Sequence, residues 1–143
     1  MLVVDDSLLL DVLAGLADAE IQDLVPRGEL FTTGCWYFRL SRALNSPSMT
    51  GALSRKLGGL DSGRQDQVLH ALDDLPPEIG LINFRDLVPI MSALQVPHPI
   101  NMLNAEALAA GVLLDADVAV TTDSPILREG AARIGLSYRV VRG

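Results

Sequence analysis

The chain has 143 residues, 49% of them apolar and 20% charged, with a formal charge of −7. One domain with one aliphatic core is expected at this length, since aromatics make up only 4%. The acidic balance excludes a globally basic nucleic-acid binder, and the single Cys35 excludes an intrachain disulfide or a cysteine-rich zinc site.

The start, MLVVDDSLLL, places acids where a secretory signal carries basic residues. No apolar stretch reaches the roughly 18–20 residues of a membrane helix. A cytoplasmic protein without a membrane span is therefore expected.

Leu2-Val3-Val4 reads as a buried strand ending at Asp5-Asp6-Ser7. Ser7 is the expected N-cap of a helix carrying Leu8, Leu9, Val12, Leu13 and Leu16, which Gly15 limits. Pro26-Arg27-Gly28 signals a turn, and residues 29–33 a short strand. Trp36, Leu40 and Leu44 set the period of a helix over 34–44, which Asn45-Ser46-Pro47-Ser48 breaks. Short helices over 50–57 and 65–75 follow, stopped by Gly58-Gly59 and Pro76-Pro77.

Residues 79–82 read as a weak strand. Asp86 is then the expected cap of a helix with Pro89 in its first turn, running to about Gln95. After the loop Pro97-His98-Pro99, a helix is expected over 101–114, with Leu103, Ala107, Ala110, Gly111 and Leu114 on one face. Val118-Ala119-Val120 reads as a strand ending in Thr121-Thr122-Asp123. Ser124-Pro125 opens a last helix to about Ile134, Gly135 stops it, and residues 136–141 read as a final strand. Strands alternating with helices predict a mostly parallel sheet covered on both faces.

In open α/β sheets, ligands bind outside the carboxyl ends of the strands. Two strands here end in acid, at Asp5 and Asp123, and Glu106 sits near the N-terminus of the helix feeding the second. Carboxylates sharing a crevice repel unless a proton or cation intervenes. Mg²⁺ commonly uses one or two carboxylates with water and phosphate oxygens. Taken singly, Asp6, Ser7 and Asp123 are equally well explained as helix caps, and Glu106 as a solvated residue near a helix N-terminus.

The run Val3-Val4-Asp5-Asp6-Ser7 with its aliphatic helix resembles the opening of PIN-domain nucleases, including VapC-type toxins. Asn104 to Ala110 resembles their later helix, and Val118 to Asp123 their closing strand with its Thr-x-Asp. The separation of Glu106 from Asp123 suits that layout.

The resemblance implies a PIN-like three-layer α/β/α domain spanning residues 1–143. It implies a Mg²⁺- or Mn²⁺-dependent endoribonuclease, with Asp5, Glu106 and Asp123 as catalytic and metal-binding residues. Ser7 and Thr121 would be polar groups behind them. An RNA substrate, an antitoxin protein and a homodimeric state would be its partners. One departure points elsewhere. The family's further acid belongs near Arg39, on a helix that contains none. The alternative is a catalytically weakened or inactive PIN-like domain that binds protein or RNA.

Between Arg27 and Arg64 six cations face two acids, so Arg39 and Arg42 are candidate RNA contacts. Solvated, scattered arginines account for the same composition.

Other site chemistries fit less well. A response-regulator receiver needs a phosphoacceptor Asp on a central strand and a late Lys, but the only Lys is Lys56. A haloacid-dehalogenase phosphatase needs Asp-x-Asp after its first strand. Gly58-Gly59 follows a helix, so it is no phosphate loop. His70 and His98 lack metal-ligand spacing, and Cys35 reads as a small hydrophobe.

Overall fold

A computed structural model describes residues 1–46, 51–96 and 98–141. The expected chain break at Pro47-Ser48, the helix start at Thr50 and the turn residue Pro97 lie outside the described residues.

Among the described residues, five strands form one all-parallel sheet: β1 (Leu2–Val4), β2 (Leu30–Thr32), β3 (Gly80–Leu81), β4 (Asp117–Val120) and β5 (Tyr138–Val140). Their spatial order is β3-β2-β1-β4-β5. Parallel neighbours need crossovers, and crossovers are right-handed. Connections running in opposite directions across the sheet must therefore lie on opposite faces, giving a three-layer α/β/α fold.

The core divides accordingly. Leu2, Val4, Leu30 and Ala119 pack on one face with α1 (Asp6–Leu13), α4 (Ala52–Gly58), α5 (Ser62–Asp73) and the Leu40/Leu44 side of α3 (Gly34–Leu44). Val3, Val118 and Val120 pack on the other with α6 (Phe84–Ala93), α7 (Met102–Leu114) and α8 (Pro125–Arg133). Alternation along a strand thus serves both layers, which is why Leu2-Val3-Val4 is apolar throughout. The short helix α2 (Ala19–Gln22) joins α1 to β2 and has no counterpart in the sequence expectations.

Several caps differ from expectation. Asp5, not Ser7, caps α1, accepting from the Leu8 amide. Asn83 rather than Asp86 caps α6, so Pro89 lies inside that helix instead of in its first turn. Helix α5 begins three residues early because Asp61 caps it.

Helix α7 is buried from Asn104 through Gly111, around its whole circumference rather than along one stripe. Gly111 permits its close approach to β4, since a Cβ there would stand 2.6 Å from Leu136 Cδ2 and 3.2 Å from Val118 Cγ2. Among the described residues, no helix is long and apolar enough to cross a membrane.

Candidate functional site

The strand order reverses at the β1/β4 junction. From β1 the chain proceeds to β2 and β3 on one side, while β4 and β5 lie on the other. Such switch points leave a crevice beyond the carboxyl ends of the two strands. A cavity of about 550 Å³ opens there, and Asp5, Asp6, Ser7, Thr121 and Asp123 all line it. Trp36 and Arg39 of α3, Lys56 of α4 and Asn104 of α7 complete the part of its wall that bears on chemistry.

Asp5 is 7% exposed. Its Oδ1 accepts from the Leu8 amide at 2.8 Å and its Oδ2 from the Thr121 amide at 3.1 Å. The carboxylate thus ties the start of α1 to the end of β4. Burial pushes its pKa from 3.8 up to about 6, against the opposing pull of the two amides. No side-chain cation bonds to it directly among the described residues. A carboxylate has about four lone-pair sites, and the amides use two.

Asp6 is also buried, and desolvation raises its pKa although Arg39 draws it back. Oδ1 accepts from the Ser7 amide at 2.8 Å. Arg39 Nε stands 2.9 Å from Oδ2, yet that oxygen receives no aligned hydrogen bond. The contact is coulombic without the directionality of a guanidinium–carboxylate fork.

Asp123 is exposed. Tyr138 donates its hydroxyl proton to Asp123 Oδ1 at 2.9 Å, and Arg128 pairs with Oδ2. The Ser124 amide donates to the Tyr138 oxygen at 2.8 Å, which holds the post-β4 turn against β5. Ser7 Oγ accepts from Lys56 Nζ at 2.9 Å, and Lys56 also pairs with Asp11 at 2.9 Å. The only lysine therefore clamps α4 to α1 beside the acids.

Glu106 goes elsewhere. It is 1% exposed and does not line the cavity. Its Oε1 accepts from the Cys35 amide at 2.8 Å and its Oε2 from the Gly34 amide at 3.2 Å. These are unpaired donors at the start of α3, where a carboxylate also complements the helix dipole. Cys35, beside it, has its pKa pushed up to about 11 by desolvation and by the Glu106 hydrogen bond and charge. The structure thus brings Asp5 and Asp123 to one cavity and places Glu106 behind it.

Asp6, Trp36, Lys56 and Asn104 are among the cavity residues that sequence reasoning did not assign to a site. Asp6 carried the signal of its neighbour, but it read as a cap. Asn104 stands two positions before Glu106, a little over half a helical turn, so the two side chains leave α7 on opposite sides and Asn104 faces the cavity.

The basic stretch of 27–64 is largely spent on pairing. Arg27 meets Glu29, Arg39 meets Asp6, Lys56 meets Asp11 and Arg64 meets Asp61. Among the described residues, no three His, Cys, Asp or Glu side chains converge as a metal-holding group. Hydrated Mg²⁺ needs only one or two carboxylates, with water and phosphate completing the shell. Asp5, buried and without a bonded cation, and Asp6, whose Oδ2 lacks an aligned donor, fit that requirement. Neither a protein-family model nor a curated protein sequence matches the chain.

Proposed function

We propose that this chain is a PIN-like, metal-dependent endoribonuclease acting at the β1/β4 cavity. The observation that supports it most is the meeting of Asp5, Asp6 and Asp123 in one crevice at the strand-order reversal. Asp5, with Asp6 and Asp123 nearby, would hold Mg²⁺ or Mn²⁺. The chemistry such a cation would supply is activation of a water and stabilisation of the leaving oxygen of a phosphodiester. Glu106 has no part in this ligand set, because it does not line the cavity. Arg39, on the cavity wall, supplies positive charge for a phosphate. Asp5 orders the site by fixing the Thr121 amide, and Lys56 holds Ser7 and α4 in place.

A second reading is favoured by one observation: Arg39 already neutralises Asp6 at 2.9 Å. In that reading the domain is catalytically weakened and works as a binding module. The toxin role, with an antitoxin partner and a homodimeric state, is an extension of the PIN resemblance. Leu81, Phe84 and Val88 are exposed apolar residues on β3 and α6 that suit such contacts.

Calorimetric titration with Mn²⁺, followed by incubation with mixed-sequence RNA, separates the readings. Nuclease function requires Mn²⁺ binding and RNA cleavage that Asp5→Asn and Asp123→Asn both abolish. RNA bound without metal or cleavage leaves the binding module. Neither metal nor RNA binding at millimolar Mn²⁺ sinks the nuclease and the RNA-binding module together, and leaves only a protein-binding one.

A further inference from the structure

Beside the acidic cavity lies a second cleft of about 390 Å³, and Arg39, Ala52 and Leu53 line both. Arg42 lines only the second. Arg39 and Arg42 stand three residues apart on α3 and so share a face. The described residues lining this cleft include two arginines and no acid. No carboxylate pairs with Arg42 among the described residues. The neighbouring cavity, by contrast, holds three aspartates. Arg39 is the residue at the boundary between a cation-seeking space and an anion-seeking one.

The two ends of the Arg39–Asp6 contact differ in freedom. The Asp6 side chain is 7% exposed and anchored by the Ser7 amide, whereas that of Arg39 is 51% exposed. Oδ2 of Asp6 lacks an aligned hydrogen bond despite the 2.9 Å approach, so nothing directional holds the guanidinium. A phosphate offers a guanidinium two acceptor oxygens in a matching plane. A phosphate seated in the second cleft would therefore give Arg39 a more directional partner than Asp6 does.

We propose that the Arg39–Arg42 cleft is a phosphate subsite for single-stranded RNA, and that Arg39 exchanges Asp6 for that phosphate, freeing Asp6 for a divalent cation. The inference rests on the metal-site reading above. It makes Arg39 a positioning residue and makes RNA and metal binding mutually cooperative. Linkage requires each ligand to strengthen the other by the same factor. An ion pair at the site thus keeps the cation affinity low until substrate arrives.

The test uses a fluorescently labelled RNA hexamer, followed by anisotropy with and without Mn²⁺, and Mn²⁺ calorimetry without RNA. Mn²⁺ should tighten RNA binding to the unmodified protein by about fivefold or more, the lower end of ordinary coupling. Arg39→Gln should bind Mn²⁺ by itself about fivefold more tightly and lose the cooperativity. Arg39→Lys, which keeps the charge, should hold the original Mn²⁺ affinity. Arg42→Gln should weaken RNA and lower the slope of log affinity against log salt by about one. Circular dichroism checks that each variant is folded.

The exchange is overturned if Arg39→Gln binds Mn²⁺ no more tightly, or if cooperativity survives in it. An unchanged RNA affinity and salt slope in Arg42→Gln overturns the subsite. Absence of Mn²⁺ binding in every variant, Arg39→Gln included, overturns the metal-site reading and this inference with it.

Discussion

Replacing Asp5 by Asn should stabilise the fold at neutral pH while removing the site's central carboxylate. In the folded protein desolvation lifts the Asp5 pKa from 3.8 to about 6. Between those values the folded protein holds a proton that the unfolded chain has released. The contribution of this carboxyl to stability is therefore fully present below pH 3.8, falls as pH rises, and is lost above about pH 6. At 1.36 kcal/mol per pKa unit, the ionised side chain costs about 3 kcal/mol at pH 7.

Asn removes that cost. It offers only one oxygen to the Leu8 and Thr121 amides, which takes back about 1–2 kcal/mol. The net gain at pH 7 is about 1–2 kcal/mol. Near pH 4 the carboxyl is itself neutral, and the two proteins should agree within about 1 kcal/mol. Urea unfolding at several pH values, followed through Trp36, measures the difference. Trp36 is the only tryptophan and is 4% exposed, so unfolding changes its surroundings. A variant less stable than the original at pH 7, or a difference that does not depend on pH, would refute the reasoning.

Glu106 should behave in the opposite way. Glu106→Ala removes two charge-assisted acceptors from the start of α3 and should cost about 3–5 kcal/mol in urea unfolding. Glu106→Gln keeps one acceptor and should cost about 1–3 kcal/mol. Losses below about 0.5 kcal/mol in both would remove Glu106 from its capping role. Cys35, with its pKa near 11 against an ordinary 9.0, should carry about a hundredfold less thiolate at pH 8 than a free thiol. Iodoacetamide should accordingly label it slowly in the folded protein and faster in Glu106→Gln. Labelling at the rate of the urea-unfolded chain would contradict that.

Much of the fold was legible in the residues because local signals agreed with the tertiary outcome. The Trp36, Leu40 and Leu44 period gave α3 its full extent, Gly34–Leu44, and all three side chains are buried. Leu2-Val3-Val4 and Val118-Ala119-Val120 read as strands and form the central pair of the sheet. The caps were harder. Asp5, Asp6 and Ser7 are adjacent residues that can all cap a helix, and backbone geometry, which the sequence leaves open, chose Asp5. Helix α2, at four residues, is too short to show a period.

The same division runs through the site. Chain order and strand ends were enough to bring Asp5 and Asp123 forward as candidates for one crevice, because ligand sites in open α/β sheets lie beyond the strand ends. The fate of Glu106 was not legible. Asn104 and Glu106 are two residues apart on α7, and which of them meets the cavity depends on the rotation of that helix against α3. An apolar pattern on every side of α7 leaves that rotation unspecified. The partner of Arg39 was equally hidden, since the separation of 33 positions from Asp6 is closed only when α3 packs beside α1. The sequence by itself determined the layers and the acidic strand ends. Packing decided which acids stand in the cavity and which cation stands against them, because those distances exist only after the helices have docked.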